Sequence, residues 1–195
     1  PDLRREIARA PVRVMRVDAA LGRRFVDLAR GCMVTRGRDL DAFAYGDARD
    51  VRIAFHERGL AFALIGFSPE RRQYRWHGLG FVSLRNGVPV GYGQLDAHDG
   101  QCNPSFNTFD TYRGTDAAWT FARLLATART VQGARRFCME PYQIGKDNAE
   151  AITSGAWWFY HRLGFRPRST EARKLVRYEL RRMKAHPDYR SGGSV

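Results

Sequence analysis

The sequence predicts an α/β chain of the α+β kind, a mixed, largely antiparallel sheet with helices on both faces. Three observations lead there. Apolar residues switch from helical spacing to strict alternation at Val51 and return to helical spacing at Ala118. Arg58-Gly59 and Asn86-Gly87 separate alternating runs, as hairpin turns do. A strand–helix–strand–helix order then follows the hairpins, and that mixture calls for a sheet covered by helices.

In chain order, Val12 to Asp18 alternates Val12, Val14 and Val17 with charged residues and reads as a half-buried strand. Ala19 to Cys32 places Leu21, Phe25, Leu28 and Ala29 at helical spacing. Residues 36 to 50 carry Gly37, Gly46 and many charges, which suits a short helix or loop. Val51, Ile53 and Phe55 pair across Arg58-Gly59 with Leu60, Phe62 and Leu64 as a first hairpin. After the basic excursion Ser68 to Trp76, Phe81 to Leu84 and Val88 to Leu95 flank Asn86-Gly87 as a second hairpin. Cys102 to Phe109 reads as a further strand. The next helix shows Ala118, Phe121, Ala122, Leu125 and Ala128 on one face and stops at Gly133. Arg135 to Tyr142 reads as a short strand, with its core over Phe137 to Glu140. Asp147 to Leu163 is a second helical pattern, on whose wheel Ile152, Ala156, Phe159 and Leu163 form one stripe with Tyr160 at its edge. Thr170 to Lys184 is a last, basic helix with Leu175, Leu180 and Met183 inward.

The 195 residues are 44% hydrophobic, enough for one sizeable core. We therefore expect a single domain over residues 1–168, a basic C-terminal helix over 169–190 and a flexible tail over 191–195. No apolar run reaches the length of a membrane span, so no membrane partner is expected, and no signal-peptide pattern opens the chain. It starts at Pro1 rather than Met, as a segment of a larger protein would. Cys32, Cys102 and Cys138 are far apart, without C-x-x-C spacing, and the five histidines are equally scattered. Buried thiols in a reducing cytoplasm, with no structural metal, are the expectation. The net charge is +13 and all but Lys146, Lys174 and Lys184 of the basic residues are arginine. That charge fits a nucleic acid or another acidic partner, and equally the charged surface of an arginine-rich genome's product.

Two constellations carry a function. In the first, a strand runs through Tyr112-Arg113-Gly114-Thr115-Asp116-Ala117-Ala118 into a helix. Exposed N–H groups and the dipole at such a helix start favour phosphate. The second runs from Asn148 to Phe165, with Ala151-Ile152 near its start and Tyr160 four residues before Gly164-Phe165.

In this order and separation the two resemble the GNAT superfamily of acyl-coenzyme A dependent N-acyltransferases, over about Phe81 to Pro167. The resemblance implies a transferase that moves an acyl group, in the simplest case acetyl, from acetyl-CoA or another acyl-CoA to an amine acceptor. Arg113 matches the first position of the family's pyrophosphate loop and Ala118 its last. Gly114, Thr115, Asp116, Ala117 and Ala118 would supply backbone donors. Asp116 stands where the family has its first required glycine, and reads equally as an N-cap whose carboxylate takes those donors. Asn148 would belong to the coenzyme-binding helix, although Asn148 and Tyr160 are twelve apart here and seven apart in the family. The helix therefore either restarts at Thr153 or Ser154, or runs on from Asn148. The family's tyrosine, here Tyr160, protonates the leaving thiolate.

Beside that resemblance, Glu140 at the end of its strand suits a base acting through water, or an ion pair with an arginine. Trp157 and Trp158 lie off the helix stripe, where they would line a substrate pocket or pack under the N-terminal segment. Gly91-x-Gly93 reads as close strand packing. His98-Asp99 lacks the nucleophile pattern of a hydrolase. Arg71, Arg72, Arg75 and Trp76 mix charge and rings as nucleic-acid surfaces do, or form a solvated loop. Two other readings stay open. One is a degenerate GNAT-like domain that binds nucleic acid or a protein. The other is an acyltransferase that takes its acyl group from an aminoacyl-tRNA or a carrier-protein thioester.

Overall fold

The computed structural model describes residues 2–34, 36–37, 40–114, 116–189 and 191–192. The chain divides into two compact units, Pro1–Cys138 and Met139–Val195. In order, unit 1 holds α1 (Leu3–Ala8), β1 (Arg13–Arg16), α2 (Ala19–Val34), α3 (Asp41–Ala44), β2 (Gly46–Phe55), β3 (Leu60–Phe67), β4 (His77–Arg85), β5 (Val88–His98), β6 (Gln101–Thr108), α4 (Ala117–Gln132) and β7 (Arg136–Phe137). Unit 2 holds α5 (Ala149–Thr153), α6 (Ala156–Arg162) and α7 (Thr170–Ala185). Among the described residues no helix is long and apolar enough to cross a membrane.

Unit 1 is the mixed sheet that the sequence predicts. Its seven strands lie in chain order, every neighbouring pair antiparallel except β6 and β7, which are parallel. Both expected turns form where a positive φ is needed, Arg58-Gly59 at +58° and +67° and Asn86-Gly87 at +50° and +83°. Alternation sends Ala61, Ala63 and Ile65 of β3 to one face, against Val26, Ala29 and Met33 of α2 and Phe43 of α3. The other face carries Phe62, Phe81 and Phe106, and the Phe106 ring meets Phe121 of α4 at 5.4 Å. Helices thus cover both faces. Gly91 and Gly93 do allow close packing, because a Cβ on either would collide with the Asn107 or Ser105 carbonyl of β6.

Several stripes differ from the helical-wheel expectation. In α2 the buried set is Gly22, Val26, Ala29 and Met33, while Leu28 is exposed. Gly22 turns the helix, since its missing side chain lets the Ala48 backbone come against it. Trp119 to Ala128 is buried all round, because α1 packs on α4 opposite the sheet. Arg123, fully buried, ties the two: its Nη1 donates to Glu6 O at 2.6 Å and its Nη2 to Ala10 O at 3.0 Å. Its Nε donates to His56 Nδ1 at 3.1 Å, which leaves the His56 proton on Nε2, 2.8 Å from Thr127 Oγ1. Burial, helped by the Arg123 charge, lowers the His56 pKa to about 4.

In unit 2 the expected helix over 147–163 is two helices. Asn148 caps α5, accepting at Oδ1 from Ala151 N at 3.1 Å. The chain breaks at Gly155, φ +69°, which stands before α6 in place of the Thr153 or Ser154 cap. Residues 152 and 163 therefore share no continuous wheel, and Ile152 is exposed. On α7, capped by Ser169, the buried residues are Val176 and Glu179, and Leu175 and Leu180 face outward. Of the expected flexible tail, Ser191 donates its hydroxyl to Glu179, and residues 193–195 lie outside the described residues.

Candidate functional site

The expected strand from Phe137 to Glu140 is a correction, and its cause is chemical. β7 is two residues long and pairs as Gln101↔Arg136 and Cys102↔Phe137. Arg136 N donates to Gly100 O and Cys138 N to Cys102 O, both at 3.0 Å. The next donor in a parallel ladder would be residue 104, and Pro104 has no N–H. The ladder therefore ends where proline enters β6. Beyond it, the period-two alternation aims the N–H and C=O groups of Phe106 and Thr108 at the same edge, past the end of the β7 pairing. Pro104 is the signal in the sequence that this opening follows from.

At the carboxyl end of β6 the chain turns through residues 110–114 into α4. The antiparallel order brings the turns at Arg58-Gly59 and Asn86-Gly87 to this end too, since Gly91 pairs with Thr108. Gly114 has φ +89° and Asp116 has φ +50°, ψ 14°. Asp116 occupies the N-cap position, but its side chain makes no capping bond. Its carboxylate lies instead 3.5 Å from Arg85 Nη2, which corrects the expectation that it takes the helix donors. Ala117 and Ala118 form the first turn, half-buried, with Gly114 and Asp116 exposed. Thr115 lies outside the described residues. Arg113, expected at the pyrophosphate, points its guanidinium to Asp110 at 2.8 Å. The cations at the helix start are Arg58 and Arg85, stacked over the Trp119 ring at 5.0 and 5.3 Å. Sequence reasoning missed all three, and the hairpin-turn positions of the two arginines were the available clue.

Unit 2 supplies the other predicted residues. Tyr160, expected at the edge of the helix stripe, is the buried residue of α6, packed against Phe159 and Phe165. Burial raises its pKa. Asn148 spends its amide on the fold, donating at Nδ2 to Tyr142 O at 3.0 Å while capping α5. Glu140 is exposed and starts the Pro141–Ile144 3-10 turn. Trp157 and Trp158 are half-buried and line a cavity within this unit. Among the described residues no group of three or more His, Cys, Asp or Glu could hold a metal ion.

What unit 1 can do chemically follows from these parts. The first turn of α4, whose Asp116 side chain makes no capping bond, and two arginines attract a multiply charged anion, and the β6 edge beyond Pro104 offers backbone donors to a carbonyl. No family model, curated protein or solved structure matches the chain.

Proposed function

We propose that the protein is an N-acyltransferase that moves an acyl group from acyl-CoA to an amine by direct attack. One observation carries the reading. The parallel β6–α4–β7 crossover opens at Pro104, and the α4 start lies at the end towards which it opens. In open α/β sheets this is where phosphate-bearing ligands bind. The left-handed φ of Asp116 is the one a glycine would supply at that position of the GNAT loop, so the backbone path suits the resemblance even though the side chain departs from it.

In this reading the pyrophosphate binds the N–H groups of Ala117 and Ala118, with Arg85 and Arg58 beside it. The N–H of Phe106 polarises the thioester carbonyl. The amine nitrogen bonds to the carbonyl carbon, the C–S bond breaks, and the leaving thiolate takes a proton from a general acid, the role that the GNAT resemblance gives to Tyr160. A base acting through water takes the proton the amine loses, the role that the sequence suggests for Glu140. Tyr160→Phe keeps the ring and removes the proton, so turnover falls on the order of a hundredfold with KM nearly unchanged. An equally active Tyr160→Phe removes this residue from the mechanism.

A second reading, a degenerate domain that binds nucleic acid, draws on the Asp116 carboxylate at the helix start and on one exposed surface. There Tyr74 is fully exposed and Trp76, 47% exposed, stacks on His98 at 5.0 Å. Its arginines are already engaged, Arg75 with Asp99 and Arg72 with Asp50, which weakens it beside the first. Salt-dependent binding of a single-stranded oligonucleotide, with no acyl transfer across a panel of amines, would favour it.

A further inference from the structure

Unit 2 holds an open-sided cavity of about 390 Å³, a volume within the range of small-molecule sites, into whose wall the partly exposed Ile152 and Leu175 turn one side. Its wall is largely apolar, with Ile152, Leu175 and Val176 beside the two indoles Trp157 and Trp158. Two charged residues line it, and burial ranks them. Lys146 is exposed at the rim, where its ammonium stays in water. Glu179 is 1% exposed, on the inward stripe of α7 one turn from Val176.

A carboxylate this buried persists only if it is held. Glu179 Oε2 accepts from the Ser191 hydroxyl at 2.5 Å and from the Tyr189 hydroxyl at 2.8 Å. Those bonds, with the Arg182 charge 3.7 Å from Oε1, hold its pKa below the ordinary carboxylate range. The group is therefore ionised at neutral pH. Two hydroxyls on one oxygen leave acceptor capacity on a group with about four lone-pair sites. A fixed negative charge, an apolar wall and two indole rings select an apolar body that ends in a hydrogen-bonding cation.

We propose that this cavity binds an arylalkylamine, its ring against Trp157 and Trp158 and its ammonium at the Glu179 carboxylate. The inference rests on the acyl-transfer reading only for the fate of the amine, which that reading makes the acceptor. Binding itself is independent of it.

The test titrates the full chain calorimetrically with phenethylamine, its neutral isostere 2-phenylethanol and the anion 3-phenylpropionate, each without coenzyme. Phenethylamine is expected to saturate at least tenfold more tightly than 2-phenylethanol, and 3-phenylpropionate not to bind. Glu179→Gln keeps an oxygen for the two hydroxyls, so it should lose the preference for the amine while still binding the alcohol. Ala172→Phe, which fills the cavity from α7, should abolish binding of both. Equal affinities, tighter binding of the anion, an unchanged preference in Glu179→Gln, retained binding in Ala172→Phe or no saturation by any probe each overturns the proposal. A parallel acetyl-CoA titration separates the two readings: amine binding without coenzyme binding keeps this site and removes acyl transfer, and the converse removes this site.

Discussion

Replacing Asp116 by glycine separates the stability of the α4 start from its affinity for anions. Asp116 holds φ +50°, ψ 14°, a left-handed conformation that costs an L-residue about 1–2 kcal/mol and glycine almost nothing. Against that gain, the substitution loses a favourable charge at a helix N-terminus, about 0.3–1 kcal/mol. It also loses an ion pair with Arg85 at 3.5 Å whose Asp116 side is 55% exposed, about 0.5 kcal/mol or less. The opposing effects leave Asp116→Gly between about 0.5 kcal/mol less stable and about 1.7 kcal/mol more stable than wild type. For a bound pyrophosphate the same changes act together, because a repelling carboxylate leaves and the Arg85 guanidinium turns to the ligand. Coenzyme binding should tighten by about 1–2 kcal/mol, roughly five- to thirtyfold, and the gain should shrink with added salt. Calorimetry of acetyl-CoA on both chains, beside their melting curves, measures the two effects separately. Unchanged or weaker binding in a folded Asp116→Gly chain would refute the placement of the anion site at this helix start.

Two further outcomes follow from unit 1. The unfolded chain protonates His56 near pH 6.5 and the folded chain only near 4, so the unfolded state binds more protons between these values. Stability should therefore fall by about 3 kcal/mol from pH 7 to pH 4 through this residue, and His56→Gln should remove that part of the slope. Equal slopes for the two chains would show that His56 does not carry this pH dependence. Pro104→Val restores an N–H at the point where the β6–β7 ladder stops. It should let one more rung form to Cys138, seen as slowed amide exchange, and weaken coenzyme binding by narrowing the opening; unchanged affinity with the new rung present would detach the opening from coenzyme binding.

The hairpins and α4 were legible because their signals are local. Asn86-Gly87 sets a turn by backbone conformation alone, and Gly133 ends α4 at φ +68°. What the sequence hid depends on distant partners. Arg123 sits amid an apolar helix and reads as an exposed charge until Glu6 and Ala10 are brought to it from α1. Tyr160 is placed by Gly155, which splits the helix and cancels a wheel drawn across it. Glu179 is hydrophilic by type and inward by position, held by hydroxyls ten and twelve residues later. At the candidate site the loop was found from its position after β6, whereas Arg58, Arg85 and Trp119 converge only through sheet order. Pro104 was legible in principle, since a proline in a strand marks an edge without a donor.

The central claim is that unit 1 binds an acyl-coenzyme A, and thermal denaturation with millimolar acetyl-CoA tests it most directly. Ligand at 100 times its dissociation constant stabilises by about 2.7 kcal/mol, a rise of roughly 5–10 °C for a chain of this size. The account predicts that rise, reduced when Arg85 is replaced by alanine. An unmoved transition at millimolar acetyl-CoA contradicts it.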